Sequence, residues 1–218
     1  MVGPTIGGIP IDASGNVING AWDTTLPGLF AAGDAACSGL HGAALNSGAH
    51  LLGALASGTT AGTSAASHAN ASKHSASNII SVALSEAHHS HDSVLTEAGS
   101  DGVSPGAIQS SLASTMRTHM GTARDATGLS DAAAKISELQ ETKLSISDTS
   151  PVMNTEMVSM IRTQGLLGVA SAAVSAALAR EESRGTHIRV DHPDTDTKQA
   201  KHSLSSNDGT VVNLALRS

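Results

Sequence analysis

Aromatic side chains are almost absent from this chain of 218 residues, and this limits the kind of core that it can build. Trp22 and Phe30 are the only aromatic residues, and there is no tyrosine. Any core must therefore consist of Ala, Val, Leu, Ile and Met side chains. Alanine removes little area from water, and burial of apolar area stabilises a fold by about 25 cal/mol per Å². We expect a thin core that is marginally stable alone or is buried against another surface.

The charge of the chain argues against nucleic acid as a partner. The formal net charge is -7 at pH 7, and the sequence contains neither a basic run nor a basic patch interleaved with aromatic residues. Cys37 is the only cysteine, so it cannot form a disulfide within the chain. A lone cysteine is consistent with a reducing compartment.

The sequence also predicts a cytoplasmic protein. The stretch "MVGPTIGGIP" lacks the basic segment and the apolar segment that are typical of a secretory signal. The most apolar stretch, residues 42–62, is rich in Ala and Gly and contains Asn46, Ser47 and His50. A membrane-spanning helix needs about 20 predominantly apolar residues. We therefore predict that residues 42–62 form a buried helix of a soluble protein.

The first third of the chain combines strand patterns with this helix. Within residues 5–33, "GGIPIDASGNVI" predicts two strand pieces around an Asp-Ala-Ser-Gly turn. "GLFAAGDAA" predicts a short buried strand that ends at a glycine. Residues 63–78, "TSAASHANASKHSASN", are low in complexity and predict a linker or a poorly specified helix.

Residues 79–185 have helical spacing and predict a bundle of amphipathic helices. Ser104-Pro105 predicts a helix start, because Ser caps helix N-termini and Pro suits the first helical position. "GSDGVSPG", "TGLSD" and "SISDTSP" are the predicted breaks. The tail, 186–218, is polar and irregular, with one candidate strand, "TVVNLAL". The apolar positions expected on helix faces are Ile79, Ile80, Ala83, Leu84, Ala87, Leu112, Met116, Met120, Ala132, Ala133, Ile136, Leu139, Met157, Val158, Ile161, Leu166, Leu167, Ala170, Ala173, Val174, Ala177 and Leu178.

The Gly33-Asp34 pair is the first candidate for binding chemistry. It follows an apolar strand, and a carboxylate at that place in a dinucleotide-binding sheet accepts hydrogen bonds from ribose or ribityl hydroxyls. The alternative is an aspartate at a turn or a helix N-terminus, where the helix dipole favours it. Short motifs are weak evidence by themselves. Neither G-x-G-x-x-G after a strand nor a P-loop occurs in the chain.

Two histidine-containing groups favour structural interpretations. His88, His89 and His91 lie close together, but no cysteine or regularly spaced carboxylate completes a metal shell, so we expect solvated histidines and no metal site. Cys37 and His41 are four residues apart, but a nucleophilic pair also needs a third, orienting group. We therefore expect Cys37 to be a small buried thiol, and we assign no catalytic residue.

The run "REESRGTHIRVDHPDTD" is dense in charges of both signs. Such a run is typical of a solvated face or a local ion-pair network, and exposed pairs contribute little stability. Its functional alternative is a lid or an interface. Its charged residues are Arg180, Glu181, Glu182, Arg184, Arg189, Asp191, Asp194 and Asp196.

Four stretches carry a resemblance to a known family, in the same order along the chain. "IGGIP" resembles "MGGIP", and "TTLPGLFAAGDAACSGLHGA" resembles "T-x-V-P-G-L-Y-A-A-G-E-x-A-C-x-x-x-H-G-A". "ALAREESRGTHIRVDHPDTD" is close to "ALARKESRGAHxRxDxPxRD", and "KHSL" resembles a segment that follows. These are motifs of the C-terminal part of the flavoprotein subunit of succinate dehydrogenase and fumarate reductase, a relative of L-aspartate oxidase. Residues 63–103 match weakly.

The resemblance implies an α+β fold. Residues 1–62 would be the C-terminal remnant of a Rossmann-type FAD-binding domain, followed by the helical bundle and the irregular tail. The family binds FAD, interconverts succinate and fumarate, and passes electrons to an iron–sulfur subunit. Gly33 and Asp34 fall where the family has its FAD-contacting Gly-Glu. His50 and Leu51 fall on the Ser-Leu pair whose backbone approaches the isoalloxazine.

The chain departs from the family at the substrate residues. The family reads "H-G-A-N-R-L-G-x-N-S-L-L", whereas this chain reads "HGAALNSGAHLL" from His41. The arginine that binds the substrate carboxylate aligns with Leu45, which makes no bidentate contact, and the preceding asparagine aligns with Ala44. The family's substrate-binding histidine would fall at Gly3. The family's other FAD-binding and proton-donating residues match no part of this sequence.

These departures leave three functional hypotheses. The chain is a portion of an FAD-dependent succinate dehydrogenase or fumarate reductase type flavoprotein, inactive by itself. Its partners would then be the remainder of the flavoprotein, or a separate FAD-binding chain, and an iron–sulfur subunit that places it at the inner face of a membrane. Alternatively it is a non-catalytic helical subunit that docks on a flavoprotein complex, or a portion of an L-aspartate oxidase. We expect that the chain alone does not bind FAD tightly.

Overall fold

The computed structural model describes residues 8–18, 25–44, 48–73, 77–96, 101–205 and 211–215. The described part is an α+β structure with five α-helices and eight short strands. The chain divides into two compact units. Residues 74–121 and 125–178 form one, called here the helical unit. Residues 2–73, 122–124 and 179–218 form the other, called the mixed unit.

The mixed unit begins with four short strands that pair two by two. They are β1 (Ile9–Pro10), β2 (Asn16–Ile18), β3 (Thr25–Phe30) and β4 (Ala36–Cys37). β1 pairs in parallel with β4, and β2 pairs antiparallel with β3. The turn between β1 and β2 is closed by the Asp12 carboxylate, which accepts hydrogen bonds from the Ser14 and Asn16 amides at 2.8 and 3.0 Å. The predicted strand–turn–strand is confirmed.

Helix α1 (Ala49–Ala71) is longer and more exposed than its sequence predicts. It continues as a regular helix to Ala71, within residues 63–78, for which the sequence predicts a linker or a poorly specified helix. Ala61 is its only buried residue among those described, so the prediction of a buried helix is wrong. The prediction that β3 is a buried strand is also wrong, because Leu26 and Leu29 are exposed. Both elements are apolar, but each has few neighbours that could bury it. β3 pairs with β2, and α1 contacts only β3 and the Gly33–Ala35 turn among the described elements that pack closely on it.

The helical unit contains four helices in the described ranges, and side-chain caps explain where two of them begin. They are α2 (Ser77–Thr96), α3 (Pro105–His119), α4 (Ala126–Glu141) and α5 (Thr155–Ala179). The Ser104 hydroxyl caps α3 by accepting from the Ala107 amide, which confirms the predicted start at Ser104-Pro105. The predicted break at "TGLSD" is wrong, because these residues lie inside α4. Asp125 caps that helix by accepting from the Gly128 amide at 2.7 Å.

The core of the helical unit is aliphatic, as the composition predicts. It contains no aromatic side chain, and its buried members are Ile108, Leu112, Met120, Leu129, Ala132, Ile136, Leu139, Leu144, Ile146, Met160, Leu167, Ala170, Val174 and Ala177. The predicted faces of α3 and α4 are confirmed by this cluster. The predicted face of α2 is not part of it, because Ile79, Ile80 and Leu84 are exposed. Val158 and Ile161 of α5 are exposed as well.

Helix α5 is the one helix in the described ranges that is long and apolar enough to cross a membrane by length and composition. Length and composition alone do not separate a spanning helix from a core helix. Its buried residues recur every three or four positions, and all of them except Thr163 belong to the aliphatic core. This one-sided burial is the pattern of a helix that packs on a protein core.

The C-terminal part of the chain joins the mixed unit through two further strand pairs. β5 (Ala123–Arg124) pairs in parallel with β6 (Ile188–Arg189). β7 (Lys201–Ser205) pairs antiparallel with β8 (Val211–Ala215), with Lys201 opposite Ala215. The candidate strand in "TVVNLAL" is confirmed as β8.

Candidate functional site

The Gly33-Asp34 pair lies in a short 3-10 turn, Gly33–Ala35, between β3 and β4. Gly33 has a φ of +63°, a left-handed conformation that favours glycine. Its amide donates to the Ser57 hydroxyl of α1 at 3.1 Å. The turn is therefore held against the first half of α1.

This packing brings Asp34 next to His50. The His50 Nε2 atom and the Asp34 Oδ1 atom are hydrogen-bonded. The side chains are 55% and 75% exposed, respectively, so the pair lies open to solvent. Leu51, the next residue along α1, is also exposed. The structure thus brings Asp34 and His50, two of the four predicted cofactor-contacting residues, together in the open, where a carboxylate and an imidazole are available to hydroxyl and heterocyclic groups.

The segment between β4 and α1 carries the departures from the family pattern. Ala44 is exposed. Leu45 and Gly3 lie outside the described residues. Cys37 is a half-buried free thiol, and its carbonyl accepts from the Ile11 amide at 3.2 Å. We expected Cys37 to be buried, and its thiol is only partly buried.

The charge-dense run forms a buried ion-pair network in the mixed unit. Glu182 is 0% exposed and accepts from Arg180 Nη1 at 2.8 Å and from Arg184 Nε at 2.8 Å. The Asp196 amide donates to its other oxygen at 2.8 Å. Burial alone would raise the pKa of Glu182, but hydrogen bonds from Arg184, the Asp196 amide and Arg180 outweigh it and lower the pKa to about 2.

Arg189 is the second buried centre of this network, with 1% of its surface exposed. Its guanidinium binds both carboxylate oxygens of Asp191, at 2.8 and 2.7 Å, and donates to the Arg180 carbonyl at 3.0 Å. Of the two structural interpretations of the run, a local network is the observed one. A solvated face is wrong for Glu182 and Arg189, and buried pairs have larger energetic consequences than exposed ones.

The His187 imidazole lies between a guanidinium group and a backbone carbonyl. Its Nδ1 atom lies 3.0 Å from Arg124 Nη1, and its Nε2 atom lies 3.2 Å from the Arg180 carbonyl oxygen. An arginine can only donate and a carbonyl can only accept, so the proton is on Nε2. Burial lowers the pKa of His187, whereas the hydrogen bond to the Arg180 carbonyl raises it. The positive charges of Arg124, Arg180 and Arg189 lower it further, and the net result is a pKa below the ordinary value.

The remaining histidine candidates form no site in the described part of the chain. His88 and His89 are exposed on α2, and the side chain of His91 lies outside the description. Among the described residues, no group of three or more His, Cys, Asp or Glu side chains comes together in a way that could hold a metal ion.

Comparison with known proteins assigns the chain to a family. A family model described as an FAD binding domain matches residues 4–51, which include Gly33, Asp34, His50 and Leu51. A second model, described as fumarate reductase flavoprotein C-term, matches residues 109–217, half of the chain. The chain belongs to the fumarate reductase and succinate dehydrogenase flavoprotein family. FAD is the cofactor of this family.

Individual members of this flavoprotein family match nearly the whole chain. The fumarate reductase flavoprotein subunit of Mycobacterium tuberculosis is 35% identical over 215 residues, which are 94% of this chain and 36% of that protein. The succinate dehydrogenase flavoprotein subunit of Rickettsia conorii is 31% identical, over 95% of this chain and 36% of that protein. The chain thus spans about a third of the length of these curated relatives.

Solved structures of the family have the same fold. The FrdA subunit of E. coli quinol fumarate reductase superposes with a TM-score of 0.83 at 27% identity, over 96% of this chain and 35% of that chain. Sdh1 of Mycobacterium smegmatis superposes with a TM-score of 0.78 at 24% identity, over 98% of this chain and 35% of that chain. The second match shows the fold alone.

The sequence did not predict that Glu182 and Arg189 are buried. The available signal was the alternation of Arg180, Glu182 and Arg184, which puts two guanidinium groups beside one carboxylate. Charge density does not show burial, however, because the partners of the charged side chains also include residues outside the run, such as Gln199 and Lys201 for Arg180.

The network predicts a specific loss of stability in acid. The folded-state pKa of Glu182, about 2, lies below its ordinary value of 4.5. Its contribution is therefore fully present above pH 4.5 and is lost as the pH falls towards about 2, because the unfolded state binds the proton first. We expect the difference in free energy of unfolding between the wild type and Glu182→Gln to shrink over this range. Urea unfolding at a series of pH values measures it, and a constant difference would contradict the assignment.

Proposed function

We propose that this chain is a part of an FAD-dependent flavoprotein that interconverts succinate and fumarate and passes electrons to an iron–sulfur subunit. Residues 1–62 would be the C-terminal piece of its Rossmann-type FAD-binding domain and would form one wall of the flavin site. The convergence of Asp34 and His50, within the stretch that matches an FAD binding domain, carries this proposal. When bound, FAD supplies the hydride-accepting and hydride-donating chemistry.

We assign a role to each of the four predicted flavin-contacting residues, Gly33, Asp34, His50 and Leu51, according to its chemistry. The Asp34 carboxylate accepts hydrogen bonds from ribityl hydroxyls. Gly33 allows the backbone to turn there, since its φ of +63° is strained for other residues. His50 and Leu51 present the start of α1 to the isoalloxazine, and the contact with Asp34 orients the imidazole of His50.

The wall binds FAD tightly only when the rest of the domain is supplied. Cofactor sites bury most of their ligand in a concave pocket. Asp34 and His50 are 75% and 55% exposed and lie on an open surface. Leu51, Leu52 and Leu55 follow His50 in α1 and are exposed, and their apolar surface suits burial by the remainder of the flavoprotein.

Leu45 stands where the family has its substrate-binding arginine. A leucine cannot bind a substrate carboxylate as the family's arginine does. The chain by itself therefore does not turn over succinate. In the assembled protein, substrate-binding groups come from the remainder of the flavoprotein. The iron–sulfur subunit would hold this cytoplasmic chain at the inner face of the membrane as a peripheral component.

Flavin retention tests the proposal. We expect the purified chain, incubated with FAD and passed through gel filtration, to retain no stoichiometric flavin absorbance. Adding the FAD-binding portion of a family flavoprotein should restore binding. In that assembly, Asp34→Asn should weaken the affinity for FAD roughly tenfold, as expected for the loss of a hydrogen bond to a charged group. Glu141→Gln, at an exposed position of the helical unit, is the matched control and should not change the affinity.

The outcomes separate the alternatives. Stoichiometric flavin on the chain alone would contradict the one-wall proposal. The second candidate, a non-catalytic helical subunit that docks on a flavoprotein complex, is favoured by Leu45. It predicts that the chain associates with a flavoprotein while the Asp34→Asn variant binds flavin as tightly as the wild type.

A further inference from the structure

Residues 39–44, which follow β4, are contacted by residues far away in the sequence. This segment, called here the 39–44 loop, directly precedes the departure at Leu45 and the flavin-facing start of α1. Two of its contacts involve a histidine ring: that of His202, which lies near Gly39, and that of His41 in the loop itself, which lies near Gly53. At Gly39, whose φ is +76°, a Cβ would lie 3.0 Å from the His202 ring of β7. The His41 ring lies against Gly53 of α1, where a Cβ would be 3.0 Å away.

The third contact is the tightest and involves the Ala43 carbonyl. Its oxygen accepts hydrogen bonds from the Thr186 amide at 2.9 Å and from the Thr186 hydroxyl at 3.2 Å. Gly185 has a φ of +58°, and a Cβ there would lie 2.1 Å from the same oxygen. Such a distance is forbidden, so only glycine allows this approach.

Gly185 and Thr186, which contact the Ala43 carbonyl, belong to a rigid turn. Arg184 and His187 exchange backbone hydrogen bonds of 2.8 and 3.0 Å across the turn. The Arg184 side chain is fixed by Glu182 and donates to the Asp196 carbonyl at 2.8 Å. His187 is fixed by Arg124 and the Arg180 carbonyl. The buried network therefore immobilises the turn from both ends, which leaves the Ala43 contact little freedom.

We infer that the 184–187 turn is a positioning element for the 39–44 loop, with Gly185 and Thr186 as positioning residues. The turn fixes the backbone at Ala43, which precedes in the sequence the stretch of α1 that carries His50 and Leu51. The meaning of this placement for flavin rests on the proposed function above. The positioning itself is a property of this chain and is measurable without flavin.

Hydrogen exchange of the loop amides tests the inference directly. Gly42 and Ala44 donate within the loop, to the carbonyls of Gly39 and His41. We expect Gly185→Ala to speed exchange of these amides by about tenfold or more, because the turn must retreat from Ala43. The control is Gly42→Ala, which has nearly the same φ, +56°, but nothing within 4 Å of its Cβ. It shares the backbone strain without the collision, so in this variant the Thr186 amide should keep its protection.

Thr186 gives a milder pair of variants. Thr186→Val removes the hydroxyl that reaches Ala43 and keeps the amide, and it should speed exchange of the loop amides roughly fivefold without moving the urea midpoint of the helical unit. Thr186→Ser keeps the hydroxyl and should restore wild-type exchange. In the flavoprotein assembled with its FAD-binding portion, Thr186→Val should weaken FAD binding and Thr186→Ser should not.

The two proposals fail in different ways. Wild-type exchange of the loop amides in both Gly185→Ala and Thr186→Val would overturn the positioning inference. A wild-type assembly that takes up no flavin would instead overturn the proposed function, while the exchange experiment would still decide the role of the turn. Faster exchange with unchanged FAD affinity would overturn the link between the loop and the flavin wall.

Discussion

Replacing Glu182 with alanine is expected to lower the free energy of unfolding of the mixed unit by about 3–5 kcal/mol. The carboxylate is buried and accepts from two arginine side chains and one backbone amide. Its loss leaves the guanidinium groups of Arg180 and Arg184 without their buried counter-charge. Urea unfolding, followed by hydrogen exchange of peptides from residues 180–205, measures the effect in the unit that carries the network.

The adjacent Glu181 is the matched control for this experiment. It is exposed, and its carbonyl, rather than its carboxylate, accepts a hydrogen bond from Gln199. Glu181→Ala should therefore change the free energy of unfolding by no more than about 0.5 kcal/mol. Equal losses for Glu181→Ala and Glu182→Ala would show that the network does not stabilise the fold.

The second large effect is expected in the helical unit. Leu129 of α4 is 0% exposed and lies in the aliphatic core. Leu129→Ala removes buried methyl and methylene groups and leaves a cavity, which typically costs about 2–5 kcal/mol. Because the core has no aromatic side chain that could shift into the space, the cost should fall in the upper half of this range. Circular dichroism at 222 nm during urea unfolding reports it.

Leu84→Ala is the matched control, since it is the same chemical change at an exposed position of α2 in the same unit. It should alter the free energy of unfolding by no more than about 0.5 kcal/mol. A loss at Leu84 as large as that at Leu129 would mean that α2 buries its apolar face in solution, as its sequence pattern predicts.

Local signals in the sequence predicted the helices well where one residue decides the boundary. Ser104 caps α3 with its own side chain, so the start of this helix can be predicted from a few adjacent residues. "TGLSD" was misread, because its Gly and Ser resemble a break. The Asp125 cap before it and the buried Leu129 within it stabilise α4 through this stretch. The burial of Leu129 depends on residues far away in the sequence, and no local pattern contains that information.

The candidate flavin wall was predicted one residue at a time. Asp34 and His50 were each placed by resemblance to the family motif. Their hydrogen bond was not predicted, because they are 16 residues apart and meet only when the Gly33 turn packs on Ser57 of α1. The exposure of α1 and β3 was mispredicted for a related reason: apolar composition indicates a tendency to be buried, and burial requires a partner surface.

The sequence by itself determined the aliphatic character of the core, the capped helix start at Ser104 and the family, since each depends on residue types and their order. Only the tertiary structure decided which charges are buried and which loop they hold. Glu182 and Glu181 are neighbours with the same side chain, yet one is enclosed by arginines and the other faces solvent. The energy of an ion pair is set by its desolvation and geometry. These depend on the convergence of Arg180, Arg184 and the Asp196 amide on one carboxylate, which exists only in the folded chain.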